Sequence, residues 1–87
     1  MLELTAIIKG NVQGVGFRAT AKLLADRLKL TGFARNLPDG SVEICAQGEK
    51  SQLEKLLAEL KRTFSIEAIT SDFHPIAKSY SDFKIAR

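Results

Sequence analysis

The sequence has few of the residues that metal sites, disulfides and catalytic triads require. It contains no tryptophan, one cysteine (Cys45) and one histidine (His74). A single cysteine cannot form an internal disulfide, which favours a reducing compartment. The His, Cys, Asp and Glu residues show no metal-ligand spacing, and one histidine before a proline gives no basis for a Ser-His-Asp triad. We therefore predict no metal and no cofactor, and we assign Cys45 to packing.

Long apolar runs are also missing. No apolar stretch approaches the ~18 residues that span a bilayer. The opening residues 2–5 alternate between apolar and polar instead of forming a signal peptide. We expect a cytoplasmic protein with no membrane partner.

Chain length and net charge indicate the number of domains and the kind of binding partner. A chain of 87 residues predicts a single domain over 1–87 with one two-layer core. The net charge of +3 favours anionic partners. Because 10 acidic residues are spread among the 13 basic ones, the charge argues only weakly for nucleic acid, and we predict a small anionic substrate.

The hydrophobic pattern predicts two helices and four or five strands. In chain order they are strand 2–9, a helix from residue 17, strands 33–37 and 41–46, a helix over 51–63, and strands 64–73 and 80–85. The order β-α-β-β-α-β, with an extra C-terminal strand, is typical of the ferredoxin-like split βαβ fold. We predict an α+β sandwich with an antiparallel sheet of four to five strands and both helices on one face.

Helix ends are predicted from local signals. Gly32 stands where a left-handed residue would end the first helix. Ser51 and Glu54 match the capping box that opens a helix. Between strands two and three, the segment 38–40 (Pro-Asp-Gly) predicts a tight turn.

The loop before the first helix holds the strongest functional signal. Three of the six glycines, Gly10, Gly14 and Gly16, lie in this one connection. Such a loop can turn successive N–H groups inward to bind an anion at the positive end of a helix. Arg18 follows at the helix start with a planar fork of donors suited to phosphate oxygens. The alternative is a tight connection with an incidental arginine.

Two nucleotide-binding motifs do not fit this loop. Residues 14–19 match G-x-G-x-x-A, but the acidic residue expected some 20 positions later is Asp39, which lies in the predicted hairpin turn. The chain is also too short for the doubly wound fold. No G-K-[ST] sequence follows the glycines, which excludes a P-loop.

Two segments resemble the signatures of the acylphosphatase family. Residues 10–18 (GNVQGVGFR) are similar to the first signature, and residues 32–42 (GFARNLPDGSV), continuing through Gly48, to the second. The predicted order of strands and helices fits as well. The resemblance implies a metal-free hydrolase that cleaves the carboxyl-phosphate bond of acyl phosphates and has a ferredoxin-like fold.

The resemblance also implies roles for individual residues. Arg18 corresponds to the family's phosphate-binding arginine, and Asn36 to the asparagine that orients the attacking water. The backbone N–H groups of the phosphate cradle would come from Gln13, Gly14, Val15, Gly16 and Phe17. The implied partners are an acyl phosphate and inorganic phosphate, the latter as product and competitive inhibitor. We expect a monomer. The chain departs from the family pattern at Asn11 and at 74–75. Both departures leave the residues Arg18 and Asn36 unchanged.

Three alternatives stay open. A ferredoxin-like RNA-binding module would stack bases on sheet aromatics, which strand 41–46 lacks. A carbamoyl-phosphate-hydrolysing module would belong to a larger maturation protein, and no zinc-finger cysteines follow here. An inactive structural homologue is the third, and the presence of both Arg18 and Asn36 argues against it.

Overall fold

The computed structural model, which describes residues 1–86, contains five strands and two helices in the predicted order. They are β1 (Leu2–Gly10), α1 (Phe17–Arg27), β2 (Thr31–Asn36), β3 (Val42–Gly48), α2 (Lys50–Thr63), β4 (Ile66–His74) and β5 (Phe83–Ala86). Neither helix in this part of the chain combines the length and apolar character that a membrane crossing requires.

The strands form one sheet in the order β4-β1-β3-β2-β5. Strand β1 pairs antiparallel with β3 and β4, and β2 pairs antiparallel with β3. Strand β5 joins the edge of β2 in parallel, so the sheet is mixed. The predicted ferredoxin-like fold is confirmed, but its sheet is mixed where an antiparallel one was predicted, because the C-terminal strand β5 pairs in parallel with β2.

One core lies between the sheet and the two helices. Alternate residues of each inner strand face the helices, because side chains on a strand alternate between its two faces. The buried members on the sheet include Leu4, Ala6, Ile8, Ala34, Ile44 and Ala46. The helices meet them with Phe17, Ala21, Ala25, Leu53, Leu56 and Leu60. Burial of each large side chain contributes about 1.5–3 kcal/mol.

The predicted end of the first helix is wrong. Helix α1 ends at Arg27, and Gly32 lies inside β2. The left-handed residue is Lys29, with φ 59°. Its N–H donates to the Asp26 oxygen at 3.2 Å, and the N–H of Leu30 donates to the Ala25 oxygen at 2.8 Å. These two bonds form a Schellman motif, which closes the helix without a glycine.

The predicted capping box is also wrong. Helix α2 begins at Lys50 with Glu49 at the N-cap, and within residues 1–86 no side chain caps it. The main-chain oxygen of Glu49 accepts from the N–H groups of Gln52 and Leu53, both at 3.0 Å. Because the chain enters the helix directly after β3, Ser51 lies inside the first turn and cannot serve as the cap.

Aromatic contacts shift two predicted strand ends. Phe64 was expected to open β4, but its ring packs against Phe17 with the centroids 4.8 Å apart. Tyr80 was expected to open the last strand, but it lies before β5 and packs edge-on against Phe33, with the centroids 5.8 Å apart. In both places a tertiary contact replaces strand pairing.

Cys45 lies on the sheet face opposite the helices, because its neighbours Ile44 and Ala46 face the core. It pairs with Thr5 and Phe33 on the neighbouring strands and is buried. The segment 78–80 covers this face: the Gln47 side chain accepts from the Tyr80 N–H at 3.1 Å and donates to the Lys78 main-chain oxygen. Burial, together with the nearby Glu3 carboxylate, raises the pKa of the Cys45 thiol to about 11.

Candidate active site

The start of α1, the end of β2 and strand β5 meet at a cavity of about 170 Å³. Its lining residues are Val12, Gly14, Gly16, Phe17, Arg18, Ala19, Asn36 and Ile85. A water molecule occupies roughly 30 Å³ in the liquid, so the cavity has room for a phosphoryl-sized group and a water. The fold thus brings Arg18 and Asn36 to one cavity.

The loop that leads into α1 contributes Gly14 and Gly16 to the lining of this cavity. Gly14 and Gly16 are both left-handed, with φ 75° and 79°, and Gly16 is the N-cap of α1. The N–H of Thr20 donates to the Gly16 oxygen at 3.0 Å. The earlier N–H groups of a helix have no intrahelical acceptor, and here they belong to cavity-lining residues. Free N–H groups at a helix N-terminus are the kind of donors that can bind an anion.

Arg18 is half-buried in the first turn of α1 and reaches β5. Its Nη1 donates to the Ala86 main-chain oxygen at 3.1 Å. One turn later, the Lys22 Nζ donates to the Phe83 oxygen at 2.9 Å and pairs with Asp26 at 3.1 Å. A guanidinium has five N–H donors, and the Ala86 contact uses one of them. Arg18 and Lys22 hold α1 against β5 through these bonds, and the bond to Ala86 orients the Arg18 guanidinium.

Asn36 is the last residue of β2 and pairs with Val42 of β3. Its Oδ1 is buried and has no hydrogen-bond partner among residues 1–86. An unsatisfied buried acceptor costs about 1–3 kcal/mol. A water molecule in the cavity would relieve that cost by donating to Oδ1.

Two residues predicted for the cradle do not line the cavity. The Gln13 Nε2 donates to the main-chain oxygens of Leu37 and Ser41, at 2.9 and 2.8 Å, so this side chain contacts the β2–β3 hairpin. Val15 is exposed to solvent. The predicted residues that do line the cavity are Gly14, Gly16, Phe17, Arg18 and Asn36.

The sequence interpretation missed Val12, Ala19 and Ile85 as lining residues. Val12 and Ala19 flank the predicted loop, so an extension of the loop by one residue on each side would have included them. Ile85 carries no local signal, because it reaches the cavity only through the pairing of β5 with β2.

The polar side chains that line the cavity are the guanidinium of Arg18 and the carboxamide of Asn36. Among the described residues that line it, Arg18 is the one titratable side chain. His74 lies at the end of β4 next to Glu3, with its Nδ1 3.5 Å from a carboxylate oxygen. Within residues 1–86, no three His, Cys, Asp or Glu side chains lie close enough together to hold a metal ion.

The fold and site define a small α+β sandwich with a cavity at the start of its first helix, lined by Arg18 and Asn36. The acylphosphatase family model matches residues 4–85. An acylphosphatase of Thermus thermophilus is 50% identical over 72 residues, which cover 79% of this chain and 82% of that protein. The chain belongs to the acylphosphatase family, and the predicted family is confirmed.

Solved structures agree with this assignment. The acylphosphatase from Bacillus subtilis superposes with a TM-score of 0.94 at 34% identity, and the match covers all of both chains. A full-length HypF in its phosphate- and nucleotide-bound form superposes with a TM-score of 0.86 at 30% identity. That match covers all of this chain and 12% of the HypF chain.

Proposed function

We propose that the protein hydrolyses the carboxyl-phosphate bond of acyl phosphates, releasing a carboxylate and inorganic phosphate. The observation that carries the proposal is that Arg18, the N-terminus of α1 and the Asn36 side chain share one cavity. Membership of the acylphosphatase family supports the same class of enzyme.

The phosphoryl group would bind at the start of α1. The N–H groups of the loop Gln13–Phe17 and the guanidinium of Arg18 would surround its oxygens. Charge-assisted bonds from a guanidinium are stronger than neutral ones and hold a phosphate in a defined orientation. Because Arg18 already contacts Ala86, its orientation is set before the substrate binds.

Asn36 would hold the attacking water. A carboxamide has no useful pKa, so it acts as a hydrogen-bonding clamp and not as a general base. The buried Oδ1 supports this role, because it lacks a partner among the described residues and would accept a hydrogen bond from water. Water fixed beside the phosphoryl group reacts faster than free water, because its orientation is already set.

The chemical step is a displacement at phosphorus. The water oxygen forms a bond to phosphorus while the bond between phosphorus and the acyl oxygen breaks. The electron pair of that bond leaves with the carboxylate, and a proton of the water moves to a phosphoryl oxygen. Because a carboxylate is a good leaving group, positioning and charge stabilisation supply most of the catalysis.

The substrate itself accepts the proton of the attacking water, because none of the described side chains at the cavity is suited to accept it. The described residues that line the cavity include no carboxylate and no histidine that could accept the proton. The phosphoryl oxygens are therefore the nearest bases. This displacement requires no metal ion.

Hydrolysis of benzoyl phosphate by the purified protein, with a metal chelator present, tests the proposal. We expect turnover well above the spontaneous rate, equal with and without chelator, and competitive inhibition by inorganic phosphate. A rate equal to the spontaneous one contradicts the activity. A rate that the chelator abolishes contradicts the metal-free step.

Carbamoyl phosphate is the alternative substrate, because it also contains a carbonyl carbon bound to a phosphate. Comparison of kcat/KM for carbamoyl and benzoyl phosphate distinguishes the two. We propose that the enzyme prefers the benzoyl compound, since Ile85 places an exposed apolar side chain at the cavity. The cytoplasmic location and the monomeric state stay predictions of the sequence.

A further inference from the structure

The Gln13 side chain joins two segments that the proposed reaction must keep in register. Gln13 lies in the loop that leads to α1, and its Nε2 donates to the main-chain oxygens of Leu37 and Ser41. Leu37 directly follows Asn36, and Ser41 lies just before β3. One amide group therefore ties the phosphate-cradle loop to the hairpin that carries the asparagine.

Both acceptors belong to the closure of this hairpin. The N–H of Leu37 donates to the Ser41 oxygen at 2.8 Å, and the N–H of Gly40 donates to the Leu37 oxygen at 3.2 Å. Gln13 adds a second hydrogen bond to each of these oxygens. Each carbonyl keeps a backbone partner without Gln13, so the hairpin can form without that side chain.

We propose that the side chain of Gln13 is a positioning residue for hydrolysis, which holds the phosphate cradle at a fixed distance from Asn36. The inference rests on the proposed function. It gives the side chain a role separate from the Gln13 backbone N–H, because the side chain contacts the hairpin and does not line the cavity.

The loop needs such a positioning contact because it is flexible. Gly14 and Gly16 follow Gln13, and glycine leaves a chain free to adopt many conformations. A water held by Asn36 reacts only when it lies in line with the bond that breaks, and a displacement of about 1 Å can lower the rate 10²-fold. The two Gln13 bonds restrict that displacement.

The primary test is Gln13→Met, which keeps the length of the side chain and removes both N–H donors. We expect kcat on benzoyl phosphate to fall about 10- to 100-fold, while the inhibition constant of inorganic phosphate changes less than about threefold. Gln52→Met is the matched control, because this half-buried glutamine lies in the first turn of α2, at the other end of the sheet. We expect its kcat to equal that of the wild type.

A second variant separates positioning from folding. Gln13→Glu keeps the shape but places a carboxylate against two carbonyl oxygens, so its kcat should fall at least as far as that of Gln13→Met. Thermal unfolding of both variants, measured with saturating phosphate, identifies the folded fraction. The kcat values are corrected for that fraction.

A double-mutant cycle tests whether Gln13 acts through Asn36. In the Asn36→Ala background, single-turnover measurements should show that Gln13→Met changes the rate less than about threefold. A full 10- to 100-fold loss in both backgrounds overturns the inference, because the effects would then be independent. A rise in the phosphate inhibition constant that matches the loss of kcat also overturns it, since Gln13 would then support only the cradle.

The two proposals fail in different ways. If Gln13→Met turns over like the wild type while Asn36→Ala is inactive, the Gln13 inference is wrong and the proposed function stands. If Asn36→Ala itself keeps full activity, the water-orienting role fails, and the Gln13 inference fails with it.

Discussion

Arg18 in the first turn of α1 contacts Ala86 at the end of β5, with Nη1 3.1 Å from the main-chain oxygen. This bond makes the C-terminal strand a support of the site as well as an edge of the sheet. Because Ile85 of the same strand lines the cavity, β5 contributes to the site twice. The position of the guanidinium thus depends on a strand that lies 68 residues further along the chain.

Replacement of Arg18 by lysine should remove most activity. An ammonium group is a point charge and cannot reproduce the planar fork of a guanidinium. We expect Arg18→Lys to lose about 10²–10³-fold in kcat/KM on benzoyl phosphate, with weaker inhibition by phosphate. Arg62→Lys is the matched control, because Arg62 is exposed in the last turn of α2. Near-wild-type turnover by Arg18→Lys would contradict the assigned role.

Replacement of Asn36 by alanine should separate binding from turnover. The variant keeps the cradle and loses the proposed clamp on water, so kcat should fall about 10²–10³-fold. The inhibition constant of inorganic phosphate should stay within about threefold of the wild-type value, because the cradle does not include Asn36. A parallel loss of phosphate affinity would instead place Asn36 in the phosphate site.

Replacement of Lys29 by glycine should stabilise the protein. Lys29 is left-handed at the end of α1, with φ 59°, which costs a non-glycine residue about 1–2 kcal/mol. Glycine avoids that cost but loses more entropy on folding, so we expect a net gain of about 0.5–1 kcal/mol. Urea denaturation measures the change. An unchanged or lower midpoint would show that the lysine conformation carries no such cost.

Replacement of Gly32 by alanine should destabilise the protein strongly. An added Cβ would lie 1.9 Å from the main-chain oxygen of Cys45, where the backbone cannot move aside without breaking the pairing of β2 with β3. We expect a loss of about 3 kcal/mol or more in the free energy of unfolding. Gly40→Ala is the control, because its Cβ would meet no atom within 4 Å among residues 1–86. It should cost only about 1–2 kcal/mol for its φ of 92°. Equal losses in the two variants would disprove the steric explanation.

The buried thiol of Cys45 should make stability depend on pH in the alkaline range. Its pKa is raised from about 9.0 to about 11 by burial and by Glu3, so the folded state keeps the proton that the unfolded state releases. The stabilisation is complete below pH ~9 and is lost as pH rises through ~11. The urea midpoint of the wild type minus that of Cys45→Ala should therefore fall from pH 9 to 11. A difference that is constant over this range would contradict the raised pKa.

Local patterns predicted most of the secondary structure. Strand alternation and helical periodicity predicted all seven elements in order, because burial of one face imposes these periods directly. The helix ends were less predictable. Lys29 holds a conformation usual for glycine, and α2 starts before its expected cap, because the surrounding chain and not the local residue decides these ends.

The features of the candidate site also fall into two groups, those predicted from the sequence and those that only the tertiary structure shows. Arg18, Asn36 and the glycine loop were recognised as motif residues, and the acylphosphatase family and fold followed from them. The contact of Gln13 with the hairpin, the support of Arg18 by Ala86 and the position of Ile85 at the cavity came only from the tertiary structure. A motif records which residues occur together along the chain. The distances between those residues depend on strand register and helix docking, which bring distant segments into contact.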